Sequence, residues 1–202
     1  MAWIAMTPPA QAEGELREVY TAIAGARGGV ADVHQVQSLN PRALKAHLEL
    51  YKAVVFQRSS LDRTTRERIA VVVSAANRCA YCVGHHGEAA RQLGDAPAII
   101  DALGRGDLPA ELTPAQRALF GWAKRAALEP WTCDEGAIDA LRSHGFDDRA
   151  LLDAALTVSY FSFVNRLVLL LGVHLEKNYA ATCGSGADPS LPPPTGPRAT
   201  ER

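Results

Sequence analysis

The sequence predicts a single all-α domain. Apolar residues recur at helical spacing through most of the chain, capping residues stand ahead of those segments, and no run alternates convincingly as a strand. The 202 residues are 48% apolar and 21% charged, the balance of a globular chain long enough to bury a full core.

Residues 1–12 read as an N-terminal extension with a short apolar stretch but no basic leader. A first amphipathic helix covers residues 13–26, with Leu16, Val19, Tyr20 and Ile23 on one face and the Gly28-Gly29 pair ending it. Asn40 followed by Pro41 opens a helix to about residue 57, since asparagine caps well and proline suits a first turn. Asp62 caps the next, to about residue 77, with Ile69, Val72, Val73 and Ala76 as its stripe. Its β-branched run, Val71 to Val73, would suit a strand, but the flanking periodicity favours helix. A further helix runs from Cys79 to about Leu93 and closes at Gly94. Shorter helices cover 96–103, 113–127 and 134–144, the second opened by Thr113-Pro114-Ala115-Gln116. A long apolar helix covers 147–175. Asp153, Asn165 and Arg166 interrupt it, and charge inside a membrane span is costly, so it reads as a buried core helix. Residues 13–180 form the helical domain, and 181–202, rich in Gly, Pro, Ser and Thr, read as a disordered tail.

Lys plus Arg number 21 against 22 Asp plus Glu. With no large net field to gather phosphates or acidic lipid heads, neither nucleic acid nor a membrane is an expected partner. The expected location is cytoplasmic.

Chemistry concentrates in Cys79-Ala80-Tyr81-Cys82-Val83-Gly84-His85-His86 and in Glu67, which precedes Cys79 by eleven intervening residues. On a helix, residues three and four apart share a face, so Cys79, Cys82 and His86 form one row. A helix start favours an anion, which suits a thiolate there, and Arg78 adds its charge. A nearby imidazole can take the thiol proton, and Glu67, from the preceding antiparallel helix, can orient that imidazole or relay its proton.

The pattern Glu, eleven residues, Cys, two residues, Cys, three residues, His resembles the alkylhydroperoxidase D-like group of the carboxymuconolactone decarboxylase superfamily. Tyr81, the doubled histidine and Phe163-Val164-Asn165-Arg166 are most similar to its peroxidase-related branch, over residues 13–176. The resemblance implies a multi-helix bundle that assembles into trimers or hexamers, and a peroxidase without metal, haem or flavin. Cys82 would be the peroxidatic cysteine, Cys79 the more exposed resolving partner, and His86 with Glu67 the proton relay. An external thiol or dithiol would restore the dithiol. The best-described members carry histidine directly before the second cysteine. Tyr81 stands there instead and does not titrate near neutral pH.

Other readings stand beside this one. The cysteines could be inert core residues, or ligands of a zinc ion completed by His85 or Glu67. Glu67, among Arg63, Arg66 and Arg68, could be a solvated carboxylate, and His85, about a hundred degrees round the helix from His86, reads as a surface or interface histidine beside its auxiliary candidacy with Tyr81. Cys133 and Cys183 read as incidental; His34, His47, His144 and His174 as structural; Tyr160, Phe161 and Phe163 as core or subunit-contact aromatics. Asn77-Arg78 and Asn165-Arg166 echo one another too weakly to establish a repeat. A general thiol–disulfide oxidoreductase and a non-enzymatic redox-sensing oligomer are the alternatives to a peroxidase.

Overall fold

The computed structural model describes residues 2–183, and within them the protein is built from nine α-helices and no strand. They are α1 (Gly14–Arg27), α2 (Asp32–Gln35), α3 (Pro41–Tyr51), α4 (Arg63–Ala76), α5 (Ala80–Gln92), α6 (Pro97–Gly104), α7 (Pro114–Leu128), α8 (Glu135–Ser143) and α9 (Asp148–Leu170). The expected tail lies outside the described residues from 184 onward.

Helix α4 is the hub. It packs against α5, α6, α7 and α9, and Ile69 through Ser74 are all buried, so the valine run that could have made a strand is a helix enclosed on every side. The expected caps form. Asn40, Asp62, Asp134 and Asp147 each accept a hydrogen bond from a backbone amide three residues on. Thr113 and Gln116 make a reciprocal capping box.

Three boundaries differ from expectation. Helix α2 was not foreseen, because four residues are too few for a periodic signal. Helix α3 passes at Lys52 into a π-helical turn, Lys52–Phe56. There the buried Arg66 guanidinium donates to the carbonyls of Val54 (3.4 Å) and Gln57 (2.7 Å), satisfying groups the helix no longer pairs. Helix α9 stops at Leu170, not near Leu175: Gly172 turns the chain at φ +63°. Trp3 seals that turn. Its amide donates to the Leu171 carbonyl at 2.8 Å, and its indole lies where a Gly172 side chain would be. The chain then swings back, so that Leu175 lies against Gly84 of α5.

Helix α9 is long and apolar enough to cross a membrane by length and composition alone, yet 56% of that stretch is buried against the rest of the protein, as expected of a core helix.

A side chain at residue 172 must adopt a left-handed backbone and displace the Trp3 indole. Gly172→Val is expected to destabilise the fold by about 1–3 kcal/mol, read as a lower urea-unfolding midpoint at unchanged slope.

Candidate functional site

Helices α4 and α5 are joined by Asn77, Arg78 and Cys79, with Arg78 left-handed at φ +58°. This tight turn makes Cys79 the N-cap of α5 and sets Cys82 in its first turn. The two sulfurs lie 3.1 Å apart as a reduced dithiol, and both cysteines are buried. Both belong to the apolar core cluster, and buried polar side chains reach into it beside them. Asn165, wholly buried in α9, donates to Ser74 Oγ (3.0 Å) and accepts from Asn77 Nδ2 (3.0 Å).

The pair titrates as one unit. The hydrogen bond from Cys82 lowers the Cys79 pKa against the opposing effect of burial, and the amides of Cys82 and Tyr81 and the Asn165 carboxamide lower it further. Cys82 is pushed up by its bond to Cys79, by burial and by the charge on Cys79, while Asn165 and Ser74 pull it down. Of the two sulfurs, Cys79 is the one whose anion these contacts favour. Two expectations need correcting here. Cys79 is not the more exposed thiol: the N-cap position turns it inward, and it is Cys82 that borders the cavity described below. Arg78 is exposed and is not among the groups acting on Cys79, since its left-handed backbone carries it outward; Asn165 acts instead.

Glu67 is fully buried, and its Oε2 lies 2.7 Å from His86 Nδ1, with the Arg63 guanidinium 3.4 Å from Oε1. The solvated reading of Glu67 fails. A carboxylate beside a guanidinium accepts, so His86 donates from Nδ1, and in the neutral ring Nε2 is the acceptor nitrogen. His86 is held edge-on against Phe161, ring centroids 4.4 Å apart.

A cavity of about 30 Å³ opens beside Cys82, His86, Tyr81 and His85, faced by His34, His47, Tyr51 and Tyr160. His47 Nε2 meets Tyr160 Oη at 2.7 Å, and Tyr51 stacks on Tyr160. Burial pushes the His47 pKa down to about 4, so His47 is uncharged at neutral pH. His47 is structural in its packing and also part of the site, and Tyr160 is a lining residue rather than plain core.

His85 is not a surface histidine. It is buried, with Nε2 3.0 Å from Glu176 Oε2 and Nδ1 3.1 Å from Cys183 Sγ. The return of the chain after Gly172 brings both partners over α5, which the expected longer helix would have prevented. Cys183 is accordingly 1% exposed and packed at the site rather than incidental. Tyr81 donates to Glu176 Oε1 (2.8 Å) and accepts from the Val33 amide (3.1 Å); burial and the Glu176 charge raise its pKa, so it stays a phenol. Burial would raise the Glu176 pKa, but bonds from His85, the Asp32 amide and Tyr81 outweigh it and hold the carboxyl down to about 2. His144 and His174 are exposed, and Cys133 sits at the end of a 3₁₀ turn. Among the described residues no three His, Cys, Asp or Glu side chains gather as a metal site.

Residues 41–125, which hold this motif, match the carboxymuconolactone decarboxylase family model. The chain is similar in structure to an uncharacterized peroxidase-related protein from Ralstonia eutropha JMP134, described as an alkylhydroperoxidase AhpD core. That match has a TM-score of 0.82 and 26% identity over 90% of this chain and 96% of that one. Over residues 41–125 the chain is similar to the carboxymuconolactone decarboxylase family, and its fold is the alkylhydroperoxidase D-like fold. The uncharacterized protein YdfG of Bacillus subtilis (strain 168) is 26% identical over 133 residues, 65% of this chain and 88% of that protein. A Cys-to-Ala variant of the debrominase Bmp8 in complex with 2,3,4-tribromopyrrole has the same fold, with a TM-score of 0.73 at 19% identity over 90% of this chain and 97% of that one.

The depressed His47 pKa has a stability consequence. The unfolded chain takes up the His47 proton near pH 6.5 and the folded chain only near pH 4, so stability is full above pH 6.5 and falls as the pH drops between these values. His47→Gln is expected to remove up to about 1 kcal/mol per pH unit of that slope, measured by urea unfolding across the window.

Proposed function

We propose that this chain is a cysteine-dependent peroxidase that reduces small peroxides with the Cys79–Cys82 dithiol. The observation that carries it is the meeting, at one cavity, of a buried dithiol on a helix start and an imidazole whose proton is fixed on the far side by Glu67. A chamber of about 30 Å³ holds little more than one or two waters. It suits hydrogen peroxide, or the head of an alkyl hydroperoxide whose tail stays outside, better than a bulky disulfide.

Cys82 Sγ faces the chamber and is the attacking atom. The dithiol gives one proton to His86 Nε2, and the remaining S–H proton shifts from Cys82 to Cys79 across 3.1 Å, which leaves the thiolate on Cys82. The Cys82 thiolate attacks one peroxide oxygen, the O–O bond breaks, and the departing alkoxide or hydroxide takes the proton from His86. Cys82 is then a sulfenic acid. Cys79 displaces its hydroxyl as water to close the disulfide, and an external thiol or dithiol supplies the two electrons that reopen it. Tyr81, fixed to Glu176 and Val33, shapes the site without titrating. The homo-oligomer implied by the family would bury the exposed Leu152, Leu156, Phe163 and Leu170 along one side of α9.

The debrominase likeness supports a second use of the same two electrons, reductive removal of halogen from a small aromatic ring.

Peroxide consumption with a dithiol donor is expected to vanish in Cys82→Ser, while Cys79→Ser retains one rapid oxidation and accumulates a trappable sulfenic acid. His86→Ala or Glu67→Gln is expected to slow turnover about 10²–10⁴-fold. Rapid peroxide oxidation retained in Cys82→Ser and lost in Cys79→Ser would reverse the two roles, and bromopyrrole turnover without peroxide turnover would favour the second use.

A further inference from the structure

Behind His85, which lines the cavity, lies a second thiol–imidazole–carboxylate set with no part in the dithiol mechanism. Cys183 Sγ lies 3.1 Å from His85 Nδ1, and His85 Nε2 lies 3.0 Å from Glu176 Oε2. The three residues come from two separate stretches, α5 and the return segment after α9. The packing is tight: Cys183 and His85 are buried, and His85 stacks on Tyr81 with ring centroids 4.5 Å apart.

Chemistry fixes the tautomer. Glu176, ionised and already accepting from the Asp32 amide and Tyr81 Oη, can only accept at His85 Nε2, so that nitrogen carries the proton. Nδ1 is left as a lone pair aimed at Cys183. His86 is wired the other way round, through Nδ1 to Glu67. Adjacent histidines on one helix thus hold opposite tautomers, and their bare nitrogens serve different sulfurs.

We propose that Cys183 is a second reactive thiol of this protein, activated by His85 with Glu176 behind it, and that its substrate class is small peroxides reaching it past His85 from the shared cavity. The thiol gives its proton to His85 Nδ1, and the imidazolium is stabilised by Glu176 and by the Asp32 carboxylate nearby. The Cys183 thiolate attacks a peroxide oxygen, an S–O bond forms as the O–O bond breaks, and the leaving oxygen takes the proton from His85. Cys183 is oxidised by two electrons to a sulfenic acid, the peroxide is reduced to alcohol or water, and a small thiol returns the sulfur to its starting state. The groups facing this sulfur do not all favour its anion. The Tyr179 carbonyl, 3.1 Å away, accepts only and opposes a thiolate, and Tyr179 packs edge-on against His85. Tyr81 is spoken for by Glu176. Against the carbonyl and burial stand the imidazolium and the two carboxylates behind it, and the proposal is that the imidazolium prevails.

The chemistry is independent of the Cys79–Cys82 pair, so the test removes that pair. In the Cys79→Ser, Cys82→Ser, Cys133→Ser chain, Cys183 is the only thiol, and thiolate ultraviolet absorbance against pH reads its ionisation without requiring any reagent to reach it. The expected midpoint lies at least one pH unit below the ordinary cysteine value of about 8.5 and moves up when His85→Ala is added. Brief peroxide treatment of the same chain is expected to add one oxygen at Cys183, reversed by a small thiol. Should the triple variant not fold, peptide-resolved alkylation of the unsubstituted protein replaces it: the Cys183 rate should rise at lower pH than that of Cys133, the internal reference. A Cys183 midpoint at or above 8.5, or one that His85→Ala leaves in place, overturns the proposal, as does a Cys183 untouched by peroxide. Loss of peroxide turnover in the unsubstituted protein bears only on the Cys79–Cys82 mechanism.

Discussion

The hydrogen bond between buried Glu67 and His86 Nδ1 is the constraint on which the site depends. A carboxylate with no solvent exposure would be prohibitively placed without charge-assisted partners, and Glu67 has two, His86 from α5 and Arg63 one turn back on its own helix. The bond therefore pins the two core helices in one register and at the same time assigns the imidazole proton. Structure and chemistry are satisfied by the same contact. If α4 and α5 slipped by one residue, the carboxylate would be stranded and His86 would lose its orientation.

From that register the remaining geometry follows. The short connection of Asn77, Arg78 and Cys79 leaves the dithiol at the start of α5, where amides and Asn165 can support a negative sulfur. Helix α9 supplies Asn165 beneath the sulfurs and Phe161 behind His86, so a core helix also carries the polar floor of the site. Tyr81 also holds the site together. It ties α5 to the start of α2 and to the return segment through Glu176.

Much of this was legible in the sequence. The fold class followed from periodicity and caps, and the spacing of Glu67, Cys79, Cys82 and His86 pointed to residues that lie close together, Glu67 against His86 and the two sulfurs 3.1 Å apart. What could not be read depends on long-range return. Glu176 and Cys183 reach His85 across more than ninety residues, and the turn that brings them back hinges on Gly172 and Trp3, whose meeting has no local signature. An apolar run continuing to Leu175 gave every reason to extend the helix, and doing so placed both partners out of reach. His47 and Tyr160, over a hundred residues apart, were hidden for the same reason. Asn77 and Asn165 drew notice as an echo; they are a hydrogen-bonded pair, so the signal was of contact rather than of repetition.

With Glu67 holding the His86 proton on Nδ1, Nε2 is the nitrogen left to take a thiol proton in the proposed mechanism. Nitrogen-15 chemical shifts of the His86 ring, recorded on the reduced protein near neutral pH, read that tautomer directly. The account predicts a protonated Nδ1 and a bare Nε2, with that preference lost in Glu67→Ala. A protonated Nε2, or a ring whose tautomer is indifferent to Glu67, would contradict it.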